Sequence, residues 1–156
     1  MAASPDTTGG AVRLRAAAPS DLAAVRALLT AAALPLDGVP PDLAHFLVAE
    51  RAGHVVGAIG LEDYGDTALL RSAVVDPAVR GSGVGEALVR ALLDAARARG
   101  MRELVLLTTT AEHWFPRFGF ERITREAAPA AVHVSEEFQG ACPASAVTMH
   151  LRLSPD

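Results

Sequence analysis

Two rhythms of apolar and polar residues divide the chain. Val12-Arg13-Leu14-Arg15 alternates as a half-buried strand does. Leu22, Val25, Leu28, Leu29 and Ala32 then recur on one 3.6-period face, which predicts a helix. Pro19-Ser20-Asp21 supplies its start, with Ser20 or Asp21 as cap, and Leu34-Pro35 its end. The Pro- and Gly-bearing stretch Pro35 to Pro41 breaks the chain. His45 to Arg51, Ala52-Gly53 and His54 to Glu62 read as an antiparallel hairpin, and Thr67 to Val75 as a third strand after Tyr64-Gly65-Asp66. A helical stripe of Val84, Ala87, Leu88, Ala91, Leu92 and Ala95 follows, ended by Gly100, and Glu103 to Thr109 returns as an apolar strand. Ala111 to Phe118 reads as a short helix, with strands near Phe120 to Arg125 and Ala146 to Leu153. The order β-α-β-β-β-α-β-α-β-β implies an α/β (α+β) fold, a mixed sheet with helices on its faces.

Composition narrows the class. The chain has 156 residues, 51% of them apolar, enough for one domain with a real core, expected over 11–156 behind a disordered tail at Met1 to Gly10. A formal charge of -4, with every one of the 14 cationic side chains an arginine, offers no basic field for nucleic acid. No stretch approaches the ~18 to 20 apolar residues of a membrane span. The single cysteine, Cys142, cannot form an internal disulfide, and the N-terminus has no basic-then-apolar leader, so the cytoplasm is the expected compartment. His45, His54, His113, His133 and His150 are scattered without ligand spacing, and no metal is expected.

The chemistry concentrates in Arg80-Gly81-Ser82-Gly83-Val84-Gly85, between the third apolar strand and a helix. Alternate glycines allow positive φ and let main-chain N-H groups approach a ligand without Cβ interference. These donors converge with the positive end of the helix dipole, and a pyrophosphate fits such a point. Arg80 adds a charge-assisted contact or fixes the turn through a carboxylate. A dinucleotide G-x-G-x-x-G fails because position 86 is Glu86, and a G-x-x-x-x-G-K-[ST] loop fails because the chain lacks lysine.

Val75-Asp76-Pro77-Ala78-Val79-Arg80-Gly81-Ser82-Gly83-Val84-Gly85 resembles the acyl-CoA-binding segment of the GNAT N-acetyltransferase superfamily, whose pattern is R/Q-x-x-G-x-G/A after a strand and Pro. The resemblance extends from about Val12 to Leu153. It implies a single GNAT-like domain, mostly antiparallel, in which the fourth and fifth strands splay so that Ala73, Val74 and Val75 offer backbone groups to pantetheine, a ligand version of strand addition. Arg80 to Gly85 would hold the pyrophosphate of acetyl-CoA, the co-substrate. Many members of the superfamily form dimers, so a homodimer is compatible with it.

Leu106 to Phe120, with Thr108-Thr109-Thr110-Ala111-Glu112-His113-Trp114-Phe115, is similar to N-acetylglutamate synthase acetyltransferase domains. Many members carry Tyr where this chain has Phe115, and that Tyr is often assigned to protonate the departing thiolate. Phe115 cannot do so. Thiolate can leave unassisted or take a proton from water, Thr109, Thr110 or His113. Phe115 and Thr109 are then expected beside the cofactor. Taken whole, Leu61 to Asp66, Leu69-Leu70-Arg71-Ser72, Leu107 to Ala111 and Glu137-Phe138 with Cys142-Pro143-Ala144-Ser145-Ala146 look most like the short arsenic-resistance-associated N-acetyltransferases. That resemblance implies a small amino-acid-like or organoarsenical amine as acceptor.

Amide formation from a thioester needs a neutral amine, hence a proton acceptor, and a donor for the developing oxyanion. Glu62, ending a central strand, is the first choice for the base, with Asp63, Asp66 and Glu112 as competitors. An equally weighted alternative makes Glu62 a solvated hairpin residue. Arg71 interrupts the apolar run Ala68 to Val75, so its charge must reach water, a carboxylate or a ligand. Clamping a substrate carboxylate would account for it, as would facing outward from an edge. Ser72 and Cys142 are placed with Arg71 on the acceptor side. Two other functions remain open: a non-catalytic acyl-CoA-binding module, and a protein or peptide N-acetyltransferase.

Overall fold

The structure, a computed structural model, describes residues 11–153, so the tail expected at Met1 to Gly10 lies outside the described residues. The alternating segments become β1 (Arg13–Ala16), β2 (Phe46–Arg51), β3 (His54–Asp63), β4 (Thr67–Val75), β5 (Glu103–Thr108), β6 (Glu121–Ile123) and β7 (Val147–Arg152). The two helical stripes become α1 (Leu22–Ala31) and α2 (Val84–Ala98). The strands form a seven-stranded sheet in the order β1-β2-β3-β4-β5-β7-β6, mostly antiparallel, with β4 and β5 parallel. Among the described residues, no helix is long and apolar enough to cross a membrane.

The chain divides into two compact units. The first holds the residues up to Gly60 together with Ser72–Ala91. The β2–β3 hairpin turns at Ala52 (φ 53°) and Gly53 (φ 81°), and two positive φ values in a two-residue loop match the twist of the flanking strands. From α1, Val25 and Leu29 are fully buried against Leu43, Phe46, Val48, Ala58 and Val74. Each such side chain contributes ~1.5–3 kcal/mol relative to exposure. Glycine is required where backbone and side chains close in: a Cβ on Gly60 would lie 2.5 Å from the Phe46 ring, and one on Gly57 3.0 Å from Leu88 and 3.2 Å from the Val74 carbonyl.

The start of α1 differs from the capping expected of Ser20 or Asp21. A 3-10 turn, Pro19–Asp21, precedes the helix, and the Asp21 carboxylate reaches back to the Ala18 N-H (2.7 Å) rather than forward. The competing partner is Arg15, which binds Asp21 at 2.8 Å and Glu50 at 2.7 Å. Arg15 accordingly holds the Asp21 carboxyl below the usual range. The helix also stops at Ala31, short of Leu34.

The second unit holds Leu61–Arg71 and the chain from Leu92 onward. Its core joins Leu69, Val105, Ala128 and Val132, flanked by Tyr64, Ile123 and Phe138. The helix expected over Ala111 to Phe118 is instead a turn followed by a single 3-10 turn, Phe115–Phe118. Thr108 Oγ1 accepts the Ala111 N-H (2.9 Å), Pro116 has no N-H to give, and left-handed Gly119 (φ 101°) ends the segment. Between β6 and β7 lie 3-10 turns at Arg125–Ala127 and Ala130–Val134 and a π turn at Glu137–Ala141, which carries no periodic pattern in the sequence.

Candidate active site

β4 ends at Val75, and Asp76 starts a 3-10 turn, Pro77–Val79, by accepting the Ala78 N-H at 2.9 Å. Arg80 follows, exposed. Gly81 (φ 85°) and Gly83 (φ 88°) are left-handed, and the space a Cβ would occupy at each is open. Their conformation, not crowding inside the protein, is what requires glycine, as a cradle that receives a ligand from outside does. The Ser82 hydroxyl donates to the Val79 carbonyl and pins the turn. Gly83 then accepts the Ala87 N-H (3.0 Å) as α2 begins, so the donors of the first helical turn face this loop.

The β4–β5 ladder pairs Thr67 with Glu103, Ala68 with Leu104 and Leu69 with Val105, and stops there, although β4 continues to Val75 and β5 to Thr108. Ser72 sits just beyond it with φ 60°, a left-handed value for a non-glycine residue inside a strand, which costs on the order of 1–3 kcal/mol.

Next to Ser72, Arg71 is the largest fully buried side chain among the described residues, which removes the outward-facing reading. Its Nη1 lies 2.5 Å from Glu62 Oε2 and its Nη2 lies 3.6 Å from Glu137 Oε2. Glu62 accepts a second bond on Oε1 from the Tyr64 hydroxyl, at 2.5 Å. Ser135 donates to that same phenol oxygen and accepts the Glu137 N-H at 3.1 Å. The Cys142 thiol hydrogen-bonds the Glu137 carboxylate. One guanidinium thus stands between two carboxylates, with a phenol, a hydroxyl and a thiol around them.

A family model for the acetyltransferase (GNAT) domain matches residues 42–122, which include the glycine turn and Arg71. The chain belongs to the GNAT acetyltransferase family. It is 35% identical over 92 residues to an amino-acid acetyltransferase of Pseudomonas fluorescens (strain Pf0-1) and 38% over 93 to that of Ralstonia nicotianae (strain ATCC BAA-1114 / GMI1000). These alignments cover 58% and 56% of this chain and 21% and 20% of the relatives, so the chain spans about a fifth of their length. In fold it matches N-acetylglutamate synthase from Neisseria gonorrhoeae complexed with coenzyme A and N-acetyl-glutamate, with a TM-score of 0.79 at 23% identity over 93% of this chain and 36% of that one. It also matches Rv2747 from Mycobacterium tuberculosis in complex with CoA, with a TM-score of 0.75 at 27% identity over 91% of this chain and 99% of that one.

In this GNAT domain the sequence-selected candidates separate. Glu62, Arg71 and Cys142 belong to one cluster, whereas Asp63 pairs with Arg99 (3.0 Å) and Glu112 with Arg122 (3.3 Å), both toward solvent. Asp66 is exposed and uses its carbonyl to receive the Arg102 N-H. Thr109 and His113 are exposed, and Phe115 is buried among Trp114, Phe118 and Phe120. Three members of the cluster were not singled out as site residues by the sequence: Tyr64, Ser135 and Glu137. Burial raises the Glu137 carboxyl to about 7, opposed by Arg71 and aided by the charge of Glu62. Burial, then the charge of Glu137, pushes the Cys142 thiol up to about 12, which keeps it protonated and excludes a nucleophilic role near neutrality. Burial and the bond to Glu62 raise Tyr64 to about 12.

Proposed function

We propose that the protein transfers an acetyl group from acetyl-CoA, by direct attack, to the primary amine of a small amino-acid-like acceptor. The observation that carries this reading is the left-handed Gly81/Gly83 turn at the head of α2, within a matched GNAT domain. The CoA-bound neighbour from M. tuberculosis, aligned over nearly its whole length, supports the donor, and the amino-acid acetyltransferase relatives support the acceptor class.

In this reading Arg80 to Gly85 receive the pyrophosphate, and Ala73, Val74 and Val75 offer main-chain groups to the pantetheine arm. Thr109 and Phe115 belong to the donor side. Glu62, Arg71, Ser72 and Cys142 belong to the acceptor side, joined by Tyr64 and Glu137. Arg71 is committed to two internal carboxylates, so we assign it to ordering that cluster. Transfer to an organoarsenical amine by a homodimer is the narrower form of the proposal, which rests on resemblance, and the cytoplasm is inferred from the lone Cys142 and the N-terminal composition.

The test is to incubate the purified chain with acetyl-CoA and separate panels of amino acids, amino-organoarsenicals and peptides while following free thiol. Thiol release dependent on a small amine supports the proposal. Release only with peptides moves the acceptor to protein N-termini or lysines, and binding of acetyl-CoA without any amine-dependent release makes the chain a binding module.

A further inference from the structure

The connection between β6 and β7, residues 124–146, belongs to the second unit but lies outside the strands of its sheet. Its backbone hydrogen bonds close on the segment itself: Ala128 donates to Arg125, Val132 to Pro129, Ser135 to Val132, Gln139 to Ser135, Ala141 to Glu136 and Ala146 to Pro143. Long polar side chains do the same. Gln139 Nε2 donates to the His133 carbonyl at 2.6 Å, Arg125 Nη2 to the Pro143 carbonyl at 3.3 Å, and the His133 ring bonds the Ala128 carbonyl at 3.1 Å. The β5–β7 ladder, from Glu103 opposite Arg152 to Thr108 opposite Val147, uses none of these residues. A segment organised in this way can leave the sheet as a piece without breaking the sheet's own bonds.

Side chains hold it down. Val132, fully buried, packs with Ala128 against Leu69 of β4 and Val105 of β5. Ser135 bonds the Tyr64 hydroxyl. Glu137, its side chain only 4% exposed, stands 3.6 Å from the Arg71 guanidinium. That last anchor is incomplete. The guanidinium already binds Glu62 at 2.5 Å, so an ionised Glu137 brings a second negative charge to one positive charge, in a place that water scarcely reaches. A protonated Glu137 brings none.

We propose that residues 124–146 form a pH-gated strap, shut over β4 and β5 while Glu137 carries its proton, and lifting from the intact sheet, with Glu137 and Cys142, once that proton passes to solvent. This gate is a property of the fold alone, whatever the chain acetylates. The groups around Glu137 fix its sign. Burial and Glu62 from β3 favour the acid, Arg71 from β4 favours the carboxylate, and the balance lies at about 7. Tyr64, from the turn after β3, bonds Glu62; Ser135 and Cys142 bond Glu137 from the strap itself, and Arg125 and His133 lie against the neighbouring Phe138 ring. A carboxyl raised from 4.5 to about 7 holds its proton more tightly in the shut strap, so shutting is favoured at low pH and weakened as pH rises between those values.

The experiment is hydrogen exchange of the full chain at steps from pH 5 to pH 8, read as protection relative to the unfolded chain at the same pH, with a carbon-detected NMR titration of the Glu137 carboxyl. The amides of Ser135, Gln139 and Ala141 should be at least about tenfold less protected than the β5 amides that pair with β7, the mark of local opening. Their protection should fall on the order of tenfold or more across the range and level off above the Glu137 midpoint. Glu137→Gln should abolish that fall, whereas Val132→Ala should lower strap protection at every pH and leave the fall in place. Equal protection of strap and β5, wild-type strap protection that does not change with pH, or the same fall in Glu137→Gln would each overturn the proposal. Where Glu137→Gln fails to fold, the NMR titration decides: a Glu137 midpoint in the ordinary carboxylate range, near about 4, contradicts the gate.

Discussion

Arg71 donates to Glu62 at 2.5 Å with its own side chain wholly buried, so this ion pair places a buried charge within a mostly apolar strand. Breaking a buried pair from one side leaves an uncompensated charge. Arg71→Ala abandons two carboxylates at once and should destabilise the fold by about 3–5 kcal/mol, read as a lowered urea midpoint. A loss within ordinary surface values, about 0.5 kcal/mol, would contradict the placement.

Glu137 gives stability a pH dependence of known sign. Its carboxyl rises from the ordinary 4.5 to about 7 on folding, so between those values the folded chain binds more protons than the unfolded one. Stability contributed by this group is therefore present at low pH and lost as pH rises through the window. Urea midpoints of wild type should fall from pH 5 to pH 8 relative to those of Glu137→Gln, in which the term is absent. Parallel curves would remove it.

Glu103 should act in the opposite direction. Its bond to His150 at 2.7 Å, with help from Thr67, lowers its carboxyl on folding. That stability is present above the unfolded value and lost as pH falls through the folded one. Glu103→Gln should therefore flatten the acid limb of the stability curve, measured by thermal melts between pH 3 and pH 6.

The fold was more legible than the site because it rests on periodicity. β4 lies over Thr67–Val75 as the apolar run predicts, and α2 follows its stripe from Val84. The helix read over Ala111 to Phe118 failed at Pro116 and Gly119, where local hydrogen bonding overrode an apolar pattern. Arg71 drew notice because a charge within a strand is rare. Glu137 did not, because Glu136-Glu137 sits in a stretch without period, and only packing shows that Glu136 is exposed while Glu137 is buried. Tyr64 looked like a turn residue, and its hydroxyl's reach to Glu62 is a product of the tertiary arrangement.

Gly60 tests the packing of the first unit. A Cβ there would fall 2.5 Å from the Phe46 ring, so Gly60→Ala should cost about 1–3 kcal/mol through overpacking. Chemical denaturation of the two proteins gives the difference, and an unchanged midpoint would mean Phe46 moves freely.

Cys142 should resist alkylation. Its thiol, buried and pushed up to about 12, presents almost no thiolate at pH 8. Native protein should react with iodoacetamide far more slowly than protein unfolded in urea, followed by mass shift.

The central claim is that the glycine turn holds acetyl-CoA for transfer. Gly83→Val forces a β-branched residue to φ 88° at a position whose Cβ would meet nothing within 4 Å, which separates loss of the cradle from loss of the core. The decisive measurement is calorimetric titration of wild type and Gly83→Val with acetyl-CoA, with thermal melts confirming that both are folded. The account predicts wild-type binding and at least a tenfold weaker variant; equal affinities in two folded proteins would contradict it.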